Sequence, residues 1–504
     1  MSDQINNKRI AKNTLFLYAR QLVIMIVSLY TSRVILQVLG VEDFGIYNVV
    51  GGVIVMFTFL NSSLSNATQR FLNFEMGKEN EAGVNKIFCM SVNLHLLFAI
   101  AILILSETIG LWFIYNKVNI AQDRMFAALW AYQFSIASLC LQMLRVPFGA
   151  TIVSYERMDF YAYLSILDVV LRLGVVFLLA LLPFDKLIIY AALIPIINLC
   201  ILMINILYVH SKFETAHFKF LWDGGMFKQM VSFSGWSLLG GLSGTCSNYG
   251  LNLIMNIFCG VVVNAAMGIA NQVNAALGSL VSSFQTAFAP QIVKSYAAGD
   301  TEGYYQLIIR TSKFSFFIML IFAVPVVIFA DPLIHIWLTN VPDYAITFTQ
   351  LVILYTLIDS LSGPFWHACN ATGNVKEYYI VTSILLFATL PIAYLLLING
   401  VSVIWAVAAR VILNIVIHYS RVRILRNLTG FPSLRYWKEI LYYVMPAIII
   451  SIVLWYVPWQ FDCLYVCCIE ILLVLCIVTC SCIFLGLSSM EKKAVLRLIR
   501  KNKI

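Results

Sequence analysis

Apolar runs of about 20 residues, each long enough to cross the hydrocarbon layer of a bilayer, recur along this chain from one end to the other. Hydrophobic residues make up 61% of its 504 positions and charged residues 11%, against about 25% charged in soluble domains. Mean hydropathy is +0.88. A water-soluble fold has nowhere to bury so much apolar surface, and the spacing predicts an all-α polytopic membrane protein of about 14 transmembrane helices. Windows of about 19 residues place spans at 13–38, 44–66, 87–108, 125–148, 160–182 and 187–209. Six more fall at 232–257, 262–288, 309–330, 345–371, 377–398 and 401–422, and a last pair at 438–458 and 463–486. The opening MSDQINNKRIAKN is polar and basic, and the apolar stretch after it continues without a small-residue cleavage site. It reads as a retained first helix rather than a secretory signal.

Alternation of Lys and Arg between the two sides supports that count. Of the 33 basic residues, 26 fall on the side of the N-terminus. Four, Arg33, Lys117, Arg124 and Lys186, fall on the other, and Arg20, Arg172 and Arg410 lie deep in helices. Cytoplasmic loops carry the basic excess, so both termini are expected in the cytoplasm. The net charge of +9 then follows from topology and the anionic leaflet, with no nucleic acid required.

The chain also repeats weakly. A shift of 220 lays Gly40 on Gly260, Val53 on Val273, Leu60 on Leu280, Ser62 and Ser63 on Ser282 and Ser283, and Ala67 on Ala287. A shift of 217 to 218 pairs Pro147 and Phe148 with Pro364 and Phe365, Tyr161 with Tyr378, and Ser165, Ile166 and Leu167 with Ser383, Ile384 and Leu385. Two segments at nearly one offset indicate a duplicated six-helix unit. An even helix number enters the membrane the same way up each time, which predicts two pseudo-symmetric lobes related by an axis along the membrane normal. The expected organisation is a lobe at 1–210, a cytoplasmic connector at 211–230, a second lobe at 231–426, and two additional helices with a basic tail at 427–504.

Charges inside spans are the informative residues, because one at mid-membrane costs roughly 3 kcal/mol or more. Arg20, Arg172 and Arg410 lie well inside apolar runs, with Arg33 and Arg145 nearer the ends. A guanidinium stays charged and presents a planar fork suited to phosphate oxygens, so an anion is the natural ligand. The plainer readings stand beside that one. Arg172 follows Asp168 by one turn and can pair with it, and Arg33 and Arg145 can snorkel to the headgroups. Arg20 and Arg410 have no acidic neighbour within a turn. Arg20 and Arg33 stand about 140° apart around a helix, so they cannot both face one narrow site squarely. Asp168, Asp359, Glu107 and Glu470 are acidic candidates for ion coupling; Asp359 is the hardest to explain structurally and Asp168 reads as the counter-ion of Arg172.

Signals of catalysis are missing. The six histidines have no metal spacing, no GxxxxGK phosphate loop occurs, and the expected far-side loops are too short for a catalytic domain. Nearly all of the 12 cysteines lie in apolar runs and read as small lipid-compatible side chains. No cofactor, no metal and no enzymatic activity are expected.

The segments KNTLFLYARQL, SRVILQVLGVEDFGIYNVVGG (32–52) and FSGWSLLGGLSG (233–244) resemble the polysaccharide-exporting, O-antigen flippase branch of the multidrug/oligosaccharidyl-lipid/polysaccharide exporter superfamily. The resemblance implies a bacterial inner-membrane protein that flips an undecaprenyl-diphosphate-linked oligosaccharide by alternating access around a cationic cavity, for surface polysaccharide synthesis. It carries cavity arginines over to Arg20 and Arg33. Arg172 and Arg410 join them as substrate-binding candidates on their placement, and Asp168 and Asp359 stand as coupling candidates, with a proton or sodium ion as candidate counter-ion. The alternative is an ion-coupled multidrug or cation exporter of the same architecture.

Overall fold

The computed structural model describes residues 13, 16–28, 30–31, 34–35, 38–39, 43, 46–47, 58–117, 122–181, 183, 185–338, 341–459, 464–488 and 491–492. Among them the regular secondary structure is all helical, and ten helices are long and apolar enough to cross a membrane. This is the all-α polytopic architecture expected. Arg33 lies outside the described residues, as does the loop at Asn119.

Two compact units form. The first comprises Met1–Gly241 with Val293–Gly299, and the second Leu242–Ile292 with Asp300–Ile504. Unit 1 holds α1 (Phe16–Ser28), α2 (Thr58–Gly77), α3 (Glu81–Leu105), α4 (Leu111–Lys117), α5 (Met125–Ser154), α6 (Met158–Leu181), α7 (Lys186–Lys212) and both ends of α8 (Gly224–Ala297). Unit 2 holds the middle of α8, then α9 (Thr301–Ile328), α10 (Ala330–Trp337), α11 (Ala345–Ser360), α12 (Gly363–Thr372), α13 (Lys376–Ile398), α14 (Val403–Thr429), α15 (Ser433–Trp455) and α16 (Leu464–Phe484).

Helical backbone continues through all 74 residues of α8, where two separate spans were expected. The chain nevertheless reverses within it. The ring of Phe233 meets that of Phe71, 5.9 Å between centroids, and Lys294 and Ala297 press on Gly77, where no Cβ would fit. Phe71 and Gly77 are under two turns apart, whereas a straight helix from Phe233 to Lys294 would run about 90 Å. Two antiparallel arms therefore replace the loop that the sequence implied.

The repeat is visible in local detail. Asn80 caps α3 by accepting from the Gly83 N–H, and Asp300 caps α9 by accepting from the Gly303 N–H; the shift of 220 pairs these residues. In unit 1, α5 packs on α2, α3 and α7, and α6 on α7; in unit 2, α11 packs on α9 and α14, and α13 on α14. Helices α15 and α16 pack on each other and on α9. A buried chain of hydrogen bonds ties α15 in: Tyr436 Oη meets His418 Nε2 at 2.9 Å and Ser312 Oγ at 3.1 Å, and His418 Nδ1 meets Ser362 Oγ at 2.8 Å.

One expectation fails. The pairing of Pro147 with Pro364 predicts similar bends in the fourth and tenth spans. Pro147 sits inside an unbroken α5, whereas the tenth span stops at Ser360 and restarts at Gly363 with Pro364 in its first turn. Proline is well tolerated at a helix start and only interrupts one from inside. The equal residues therefore occupy unequal structural positions.

Candidate functional site

Each unit encloses one polar cavity of interest. In unit 1 a space of about 370 Å3 is bounded by α2 (Asn61, Ser65), α5 (Gln142, Arg145) and α6 (Tyr161, Asp168). In unit 2 a space of about 310 Å3 is bounded by the returning arm of α8 (Ser282, Gln285), the broken span α11–α12 (Asp359, Trp366) and α14 (Arg421). Two of the three walls correspond under the repeat, α2 to the second arm of α8 and α5 to α11–α12, whereas the third wall differs, α6 in unit 1 and α14 in unit 2.

Charge in the unit 1 cavity is organised around Asp168. Arg145 Nη1 donates to Asp168 Oδ2 at 3.0 Å, and Arg172 Nε donates to Oδ1 at 2.7 Å. Arg172 also donates to Asn198 Oδ1 at 2.8 Å, and Asn198 donates in turn to Ser138 Oγ. Ser138 and Arg145 both lie on α5, so a closed polar ring links α5, α6 and α7. A carboxylate within hydrogen-bond reach of two guanidiniums is the arrangement that makes burial of the charges tolerable. Arg145 therefore makes an ion pair inside the unit instead of snorkelling outward, and Arg172 takes the local pairing that its spacing from Asp168 allows.

Arg20 is different. Its guanidinium lies over the Tyr161 ring, 5.0 Å from the centroid, and its nearest polar partner is the neutral Gln21 side chain at 3.5 Å. Its Nε is buried without a hydrogen-bond partner, and no carboxylate pairs with it among the described residues. Tyr161 lines the cavity. With Arg20, Arg145 and Arg172 set against Asp168, this region carries surplus positive charge. Arg410, in unit 2, is likewise without an acid among the described residues: it donates to Asn248 Oδ1 and lies over the Tyr355 ring at 4.3 Å.

Asp359 accepts from Arg421 Nη1 at 3.0 Å. The expected span 401–422 puts Arg421 at its very end, among the basic residues counted on the side of the N-terminus. The structure extends α14 to Thr429 and turns Arg421 inward. A candidate could have been found from the helical register, since His418 and Arg421 lie one turn apart. No group of three or more His, Cys, Asp or Glu suited to a metal occurs among the described residues.

Comparison with known proteins follows the same architecture. The MatE family profile matches residues 242–395. No curated protein matches the chain. An outward-facing multidrug resistance MATE family transporter of the MOP superfamily superposes with a TM-score of 0.73 at 14% identity, covering 84% of this chain and 97% of the other. The fold is that of the MATE transporters. A point variant of the Vibrio cholerae MATE transporter VcmN gives 0.68 at 16% identity, covering 85% and 98%. A Pyrococcus furiosus MOP superfamily transporter, described as having a binding pocket of reversed polarity suggestive of a different function, gives 0.66 at 15% identity, covering 83% and 97%. These relatives are transporters by description, not enzymes. The fold likeness and the apolar spans make this chain a multi-pass membrane protein.

Proposed function

We propose that the chain flips an undecaprenyl-diphosphate-linked oligosaccharide across the bacterial inner membrane by alternating access. In this reading 1–210 and 231–426 are the moving lobes, 427–504 is an addition, and both termini are cytoplasmic. Arg20 carries the argument. A permanent cation with no acid paired to it among the described residues, half-buried over a cavity-lining tyrosine, is costly in a membrane unless an anion occupies the site during the cycle. A diphosphate supplies two bidentate acceptors for such forks. Arg145 adds charge at the cavity wall, and Arg33, Arg172 and Arg410 contribute to the field to the extent that their own partners leave it unscreened.

The described relatives include multidrug transporters, and one of this fold is reported with a pocket of altered polarity, so polarity is a property on which members of this fold differ. A cation exporter is favoured by one observation, that the Asp359 side chain, 43% exposed, lines the unit 2 cavity. Its pairing with Arg421 removes most of that attraction, which keeps the anionic substrate as the better reading.

The deciding measurement is surface glycan in a strain that depends on this protein, with membrane levels of each variant checked in parallel. Arg20→Ala is expected to abolish export. Arg20→Lys keeps charge but loses the fork, and is expected to leave part of it. Normal export by well-expressed Arg20→Ala overturns the reading.

A further inference from the structure

The unit 2 cavity differs from its unit 1 counterpart in a way that identifies what it holds. The shift of 217 lays Gln142, Arg145 and Gly149 on Asp359, Ser362 and Trp366. At matching places in one duplicated cavity, unit 1 thus has a cation and no side chain, while unit 2 has a hydroxyl and an indole. The one cation on the unit 2 wall, Arg421, is matched by Asp359 at 3.0 Å. A phosphate therefore finds no surplus charge here.

Four further features favour a polyhydroxylated ring. The span is interrupted at this point, between Ser360 and Gly363; membrane helices break where freed backbone lines a cavity, and such breaks mark binding sites. Gly363 permits the close approach of Gln285, since a Cβ there would overlap its amide. Asp359 uses Oδ1 for Arg421 and has no hydrogen bond to its second oxygen among the described residues, while Arg421 Nε is buried with no partner. The Asp359 carboxylate, held through one oxygen by Arg421 and 43% exposed, thus keeps its other oxygen as an acceptor with no protein partner among the described residues. Finally, Trp366 Nε1 donates to Tyr379 Oη at 3.2 Å, and Tyr379 donates to Asn370 Oδ1 at 3.1 Å. The indole is held by its nitrogen, which orients a rigid apolar surface within the cavity wall.

We infer that the unit 2 cavity is a saccharide subsite, taking one pyranose ring against Trp366 with a hydroxyl on Asp359. A pyranose offers an apolar face of C–H bonds to an indole and a rim of hydroxyls that both donate and accept. The carboxylate accepts a charge-assisted hydrogen bond from a hydroxyl, and Arg421, paired to its other oxygen at 3.0 Å, holds it in place. This assignment rests on the transport reading above and names the part of the substrate that unit 2 reads.

The test uses purified full-length protein in lipid nanodiscs and two kinds of probe, a panel of free neutral and N-acetylated pyranoses and sugar-free undecaprenyl diphosphate. Ligand binding to the folded state raises its unfolding temperature. At least one pyranose is expected to do so at tens of millimolar, and Trp366→Ala and Asp359→Asn are each expected to weaken that binding about tenfold or more. Trp366→Phe keeps an aromatic surface and is expected to retain most of it, which guards against misfolding of the alanine variant. Undecaprenyl diphosphate binding is expected to follow Arg20 instead. If no pyranose binds, or if binding survives Trp366→Ala and Asp359→Asn, the subsite is wrong even where Arg20→Ala abolishes lipid diphosphate binding. If sugar binding depends on Trp366 and lipid diphosphate binding is absent or indifferent to Arg20, the subsite stands and the lipid-carrier reading falls.

Discussion

Arg20 and Tyr161 form a cation–π pair 5.0 Å from guanidinium carbon to ring centroid, and Tyr161, not Arg20, lines the unit 1 cavity. Such a contact contributes about 0.5 to 2 kcal/mol, rising as water is excluded. Tyr161→Phe keeps the ring and is expected to export surface glycan near the wild-type level. Tyr161→Ala releases the guanidinium and is expected to lower undecaprenyl diphosphate affinity by about 3- to 30-fold. Equal affinities for the two variants would show that the stacking does not position Arg20.

Asp168 is shared by Arg145 and Arg172, so its neutralisation leaves two guanidiniums facing each other. Removing one partner of a buried pair costs about 3 to 5 kcal/mol, and the partial exposure of these side chains reduces that here. Asp168→Asn is expected to unfold at lower temperature in detergent, and Asp168→Leu combined with Arg172→Leu to recover part of the loss. A fully stable Asp168→Asn whose transport has lost its pH dependence would instead make Asp168 a coupling residue.

The described end of the chain is anchored by Lys313 and Glu491, 2.6 Å apart with side chains only 4% and 12% exposed. Burial pushes the Glu491 carboxyl up, but Lys313 and the Ser488 N–H hold it below the usual carboxylate range. A carboxyl lowered in the folded state stabilises above its unfolded pKa, and that contribution is lost as pH falls through the folded value. Thermal unfolding of the wild type is therefore expected to weaken below the ordinary carboxylate range more steeply than that of Glu491→Gln. Parallel pH curves for the two proteins would remove Glu491 from the acid sensitivity.

Topology follows from the basic asymmetry. In a background without reactive cysteines, Asp343→Cys is expected to react with an impermeant maleimide in cells whose outer barrier alone is opened. Glu81→Cys, on the side of the N-terminus, is expected to react only after the inner membrane is breached. The opposite pattern would invert the assignment of both termini to the cytoplasm.

The helical class was legible in the amino-acid order, because hydropathy acts locally, and the capping residues Asn80 and Asp300 fall in register under the offset of 220. The exceptional status of Arg20 was legible for the same reason: a missing acid within one turn is a property of neighbours in sequence. What the sequence could not decide were partners brought together by packing. Arg145 finds Asp168 from another helix, Arg421 turns inward to Asp359 across 62 positions, and both ends of α8 pack on α2. Pro147 and Pro364 make the point most directly. The same residue lies inside one helix and at the start of another, because the backbone around it is set by tertiary packing, which no local pattern encodes.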